Sequence, residues 1–130
     1  MSFVLGIDTS NYTTSCALLD TANMSVRSCK KLLPVKQGER GLRQSDAVFH
    51  HTKQLPELMK QLFDKKYDIS AVGYSYAPRC AEGSYMPCFL VGENVAQAVS
   101  LACGADLEKT SHQVGHILQI FFCASLTRLS

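Results

Sequence analysis

The stretch FVLGIDTSNYTTSCALL, Phe3 to Leu19, sets two apolar runs on either side of a polar, hydroxyl-rich segment. Phe3 to Ile7 is the first run and Cys16 to Leu19 the second. A third segment, Met24 to Leu33, alternates loosely between apolar and polar residues. Short turns separate all three. Closely spaced β-forming runs of this kind read as an antiparallel meander, because a hairpin needs only a few residues to reverse.

Beyond the meander the period changes. KQGERGLRQSDAVFHH is polar and glycine-bearing and reads as a loop, within which Ser45 is a plausible helix N-cap followed by Asp46 in the first turn. Leu55, Leu58, Met59, Leu62 and Phe63 then recur at helical spacing, with Pro56 expected to kink that helix. Ile69 to Tyr76 is rich in strand formers. After the loop YAPRCAEGSYMPC, Phe89 to Cys103 reads as a helix apolar on nearly every side, stopped by Gly104. Such a helix calls for more covering protein than one small face offers. Leu107 to Ser111 reads as a last strand and Val114 to Leu126 as a last helix. Three strands, then helix, strand, helix, strand, helix: this is an α/β sheet with helices packed against it.

The size of the chain, 130 residues, suits one domain with a real core. A net charge of +2 makes no case for nucleic acid or membrane. No apolar run reaches membrane-spanning length, and the opening residues lack the basic start of a secretion signal. Six cysteines without a C-x-x-C pair read as reduced cytosolic thiols, mostly small core residues.

Three polar stretches compete for chemistry. In GIDTSNYTTS, the hydroxyls and backbone N–H groups around Asp8, Thr9, Ser10 and Asn11 can hold phosphate oxygens, and Asp8 can hold a cation or orient a water. The same residues also suit a plain turn whose hydroxyls bond its own backbone. In APRCAEGSYMPCFLVGENVAQAV, Gly83 and Ser84 precede a helix and Gly92 lies inside its first turns. A missing side chain there allows close packing or close approach of a ligand. In TSHQVGHI, His112 and His116 are four residues apart, one helical turn. That pair suits a divalent metal, but two ligands do not make a site. A zinc protease helix would carry glutamate after the first histidine; here Gln113 stands there and cannot act as a base.

The ordered set of these stretches resembles the tRNA threonylcarbamoyladenosine transferase family, also known as the glycoprotease or O-sialoglycoprotein endopeptidase-like family. Its Gly-Ile-Glu-Thr-Ser-Cys-Asp-Glu-Thr-Ser opening is matched by Gly6 to Ser15, its Leu-Val-Gly by Leu90 to Gly92, and its His-x-x-x-His by His112 and His116. The resemblance implies an actin-like ATPase (ribonuclease H-like) fold. It implies that residues 1–130 are the N-terminal half of a two-domain protein in a divergent branch. It further implies ATP or an acyl-adenylate and a divalent metal, iron or zinc, in the full-length parent. The sequence departs from the pattern at Tyr12 and Thr13, where the family has its Asp-Glu pair. A family histidine six residues before the helix proline corresponds to His50, with His51 one position off.

Two functions from different classes follow. The parent is a transferase that moves threonylcarbamoyl onto a tRNA adenosine. Alternatively, the chain comes from a paralogue that serves as a non-catalytic dimerisation partner or acts in another carbamoyl or acyl transfer. Loss of the acidic pair favours the second, and retention of both histidines favours the first. Nothing in the residues supports a peptidase. The expected partners are a C-terminal half, a second copy or a paralogous subunit, with tRNA reserved for the parent and no membrane. The expected location is cytoplasmic.

Overall fold

The computed structural model describes residues 2–10, 12–34, 43–77 and 87–111. Five strands and two helices follow in the order β1 (Phe3–Ser10), β2 (Thr13–Asp20), β3 (Val26–Leu32), α1 (Gln44–Leu62), β4 (Ile69–Ala77), α2 (Phe89–Cys103) and β5 (Asp106–Ser111). The last helix expected from Val114 onward lies outside the described residues.

The strands form one sheet in the order β3-β2-β1-β4-β5. The first three are antiparallel neighbours, as the meander requires. β4 then lies parallel to β1 on its other side, and β5 parallel to β4. The sheet is therefore mixed, with an antiparallel three-stranded start. β1 is its centre and is buried from Val4 to Ser10, on both faces. Its near-continuous apolar run is what a strand covered on both sides needs.

Side chains alternate between the faces. On one face Leu5, Ile7, Cys16, Leu18, Val72 and Tyr74 join Leu55, Leu58 and Leu62 of α1 and Val91 and Ala96 of α2 in the main core. On the other face Val4, Ala17, Leu19 and Ala71 form a second buried cluster. In α1 the buried positions Ala47, His51, Gln54, Leu55, Leu58 and Leu62 recur every three or four residues and make one stripe.

Several element ends differ from the sequence reading. Arg43, extended at φ −64° and ψ 145°, occupies the N-cap, and Gln44 is the first helical residue. Ser45 lies inside the helix, because the Gln44 side chain accepts the Cys88 N–H at 3.1 Å and draws this residue into the first turn. Helix α1 thus takes over the second part of the expected loop. Pro56 sits on the exposed side of α1, so its missing N–H and its ring face solvent rather than the core. Met24 turns in the left-handed region at φ 58° and belongs to the β2–β3 turn, not to β3. Gly104, at φ 65°, ends α2 as expected.

Candidate functional site

The ladder between β1 and β2 runs further than the apolar residues alone suggest. Asp8 pairs with Ser15, Thr9 with Thr14 and Ser10 with Thr13. The hydroxyl-rich segment is therefore mostly strand. Strand alternation sends its neighbours in opposite directions.

Thr9 points to the helix-bearing face and is fully buried. Its hydroxyl donates to the Cys88 carbonyl at 2.9 Å and accepts the Gly92 N–H at 3.1 Å. It bridges the two partners of the first i→i−4 pair of α2, which pins the start of that helix to the end of β1. Gly92 permits this approach: a Cβ there would stand 3.0 Å from Thr9 Oγ1 and 3.2 Å from Ile7 Cγ2. The glycine singled out from sequence packs against β1.

Asp8 and Ser10 point to the opposite face, with Ser15 and Thr13 beside them on β2. Asp8 is 4 % exposed, and its Oδ1 accepts the Ser10 N–H at 3.0 Å. This fixes the carboxylate at the end of β1. Alternation along β4 places Ser75 on the same face, one step past the Ile7–Tyr74 pair. Its hydroxyl is fully buried and has no hydrogen-bond partner among the described residues. Buried hydroxyls normally find a partner, so this donor stands out on the sheet face that also carries Asp8. The group is a carboxylate and several hydroxyls at the C-terminal end of parallel strands, where open α/β sheets bind ligands.

A second polar group joins Thr14, from the hydroxyl-rich segment, to α1. Gln54 Nε2 donates to Thr14 Oγ1 at 3.0 Å, and the Thr14 hydroxyl lies 2.7 Å from His51 Nδ1. Which of these two atoms donates is set by the imidazole tautomer, since the Thr14 oxygen can accept from both Gln54 and Nδ1 or donate to Nδ1. His51 is completely buried and faces the sheet, while His50 is partly exposed with its ring edge-on to Phe49. The sequence points to His50, with His51 one position off, as the counterpart of a family histidine; the shared stripe of His51, Gln54, Leu55 and Leu58 on α1 marks His51 as the buried one of the two. On the same face, burial raises the pKa of the Tyr74 phenol, and the Glu93 carboxylate adds to the rise.

Of the four residues expected to bind a cofactor, Asp8 and Ser10 share a face and Thr9 occupies the other. Asn11 lies outside the described residues, as do His112, His116, Gly83 and Ser84. Among the described residues no group of three or more His, Cys, Asp or Glu is placed to hold a metal. No helix among them is long and apolar enough to cross a membrane.

Mixed sheet, strand order and helix placement define an actin-like α/β domain. YeaZ from Pseudomonas aeruginosa shares this fold, with a TM-score of 0.59 at 19 % identity over 85 % of this chain and 43 % of that one. Sequence comparison goes further. A tRNA N6-adenosine threonylcarbamoyltransferase from Campylobacter curvus is 30 % identical over 120 residues, 91 % of this chain and 34 % of that protein. A probable bifunctional tRNA threonylcarbamoyladenosine biosynthesis protein from Thermoplasma acidophilum is 27 % identical over 118 residues, 88 % of this chain and 21 % of that protein. The chain is a homologue of the tRNA threonylcarbamoyltransferase (glycoprotease) family. It spans about a third or less of the length of these curated relatives. No protein-family model matches it.

Proposed function

We propose that this chain is the N-terminal half of a two-domain protein that transfers threonylcarbamoyl to a tRNA adenosine. The observation that carries the reading is the similarity to these transferases along nine-tenths of the chain, at 91 % coverage for the Campylobacter protein. The fixed Asp8 carboxylate with Ser10 and Ser15 at the strand ends supports it. In this reading that face holds the polar part of ATP or an acyl-adenylate, through hydroxyls and backbone N–H groups. Asp8 orients a water or a cation there. Thr9 and Gly92 keep the hairpin and α2 in fixed relation, so the face is preorganised. His112 and His116 are the assigned pair for a divalent metal, iron or zinc, which would supply charge stabilisation at donor oxygens. The protein works in the cytoplasm, with a C-terminal half and a second copy or a paralogous subunit as partners.

A second reading is favoured by the hairpin tip. Tyr12, 46 % exposed, and Thr13 stand where the family has two acids. A paralogue that keeps the fold but serves as a dimerisation partner would have no need of those carboxylates.

The test pairs ligand binding with transfer. Titrating ATP and a non-hydrolysable threonylcarbamoyl-adenylate analogue into the chain, with magnesium present, should show weak binding, reduced about tenfold in Asp8→Asn through loss of the carboxylate's charge-assisted contact with the cation. With unmodified tRNA, ATP, threonine, bicarbonate and the donor-synthesising enzyme supplied, the chain alone should give no product above the no-protein control. No analogue binding at millimolar concentration would overturn the donor-site reading in favour of the partner-subunit one. Product that His112→Ala abolishes would show that a second half is not required.

A further inference from the structure

Cys16 on β2 and Cys29 on β3 stand directly opposite each other in the antiparallel register. Both are free thiols. Opposed residues of an antiparallel pair point to the same face, and Cys29 packs against the core cluster that contains Cys16. The neighbouring bonds define the kind of pair. The Asp20 N–H donates to the Ser25 carbonyl at 2.9 Å, and the Leu33 N–H to the Tyr12 carbonyl at 2.7 Å. Bonded pairs alternate along such a ladder, so Cys16 and Cys29 form one of the mutually hydrogen-bonded pairs. Their Cα atoms are then about 5.5 Å apart, inside the span a disulfide bridges, while the Cβ separation of about 5 Å is wider than the bond prefers.

We propose that Cys16 and Cys29 are an oxidant-responsive thiol pair that closes to a reversible cross-strand disulfide. This goes beyond the transferase reading and does not depend on it. The oxidant is hydrogen peroxide. Cys29, partly exposed at the sheet edge, is the thiol it meets first. The Cys29 thiolate attacks the outer peroxide oxygen; an S–O bond forms, the O–O bond breaks and one water leaves after protonation. The Cys16 sulfur then attacks the sulfenic sulfur. The S–S bond forms, the S–O bond breaks, and the hydroxyl departs with the Cys16 proton as a second water. Two thiols are oxidised and one peroxide is reduced to two waters. Burial, and secondarily Cys29, pushes the Cys16 thiol up to about 12. Cys16 is thus poorly suited to meet the oxidant and is the resolving partner, reacting in local openings of the edge strand. Because the two Cβ atoms must be drawn together, the bond is strained and easily reduced, which suits a sensor better than a permanent staple.

Hydrogen peroxide on the folded chain, followed by alkylation, digestion and mass mapping, tests this. The expected result is a Cys16–Cys29 linked peptide, loss of two thiols per chain and full recovery with dithiothreitol. The link should disappear in Cys29→Ser, a variant at the strand edge, and lose its preference over the other cysteines when oxidation is done in urea. Accumulation of Cys29 sulfinic acid while Cys16 stays a thiol would overturn the proposal. So would a link from Cys29 to any other cysteine in the folded protein.

Discussion

Gly92 is the residue through which the helix, the central strand and the candidate site meet. In an ordinary helix interior, alanine would be the better residue by about 1 kcal/mol. Here the added methyl would press on Thr9 Oγ1 at 3.0 Å and Ile7 Cγ2 at 3.2 Å, both fully buried. Overpacking of a filled core costs about 1–3 kcal/mol, so crowding outweighs propensity. Gly92→Ala should lower the urea midpoint, with a net loss of about 1–2 kcal/mol. A neutral or stabilised Gly92→Ala chain would show that Thr9 does not clamp α2. The sequence could mark Gly92 as unusual, since glycine is costly inside a helix. It could not choose between a ligand and a strand as the thing that comes close, because that depends on which face of β1 Thr9 occupies.

A polar clip holds β3 to the end of α1 and the connection to β4. Arg27 Nη1 donates to the Tyr67 hydroxyl at 2.5 Å, and Nη2 to the Leu62 carbonyl at 3.1 Å. The Tyr67 hydroxyl in turn donates to Asp64, which Arg27 also approaches at 3.4 Å. That hydrogen bond, and after it the Arg27 charge, holds the Asp64 carboxyl below its usual range, against the opposing effect of desolvation. A carboxyl lowered in the folded state contributes stability above its unfolded pKa and loses it as pH falls through its folded pKa. Wild type and Asp64→Asn should therefore differ in denaturation midpoint at neutral pH and converge in acid. A constant gap across the acid range would exclude the clip as the cause. The elements themselves were legible unevenly. The meander and α2 from Phe89 to Cys103 follow from local pattern and from Gly104. The start of α1 does not, because Gln44 is drawn in by Cys88, some forty positions away. The reach of β1 to Ser10 was hidden for another reason: threonines and serines suit a turn and a strand alike.

Across the whole molecule, two large apolar side chains of α2 remain on the surface, Leu90 at 37 % and Leu101 at 85 % exposure. They lie three turns apart on the helix. A helix of this composition was expected to need more cover than the sheet provides, and its outer face carries that expectation forward. The chain should self-associate by helix packing, with Leu101→Glu shifting it towards monomer. Sedimentation equilibrium at high micromolar concentration measures both. A strictly monomeric wild type would remove this surface from the interface. The site was legible as a pool of residues rather than as an arrangement: Asp8, Thr9 and Ser10 were identifiable, but the division between two faces follows only from the register with β2. His51 became distinct from His50 only once the α1 stripe was laid against Thr14.

The parallel pairing of β1 with β4 also has a consequence during synthesis. Leu5 finds its neighbour Val72 only after the meander, α1 and the following loop have been made. At roughly 5–20 residues per second, that is a delay of several seconds. Through that interval the hairpin can close one side of β1, while the other side, from Val4 to Ile7, is an unpaired apolar edge. Nascent chains of this protein are thus most open to strand-to-strand aggregation, and most in need of a chaperone's cover, between completion of β3 and the arrival of β4.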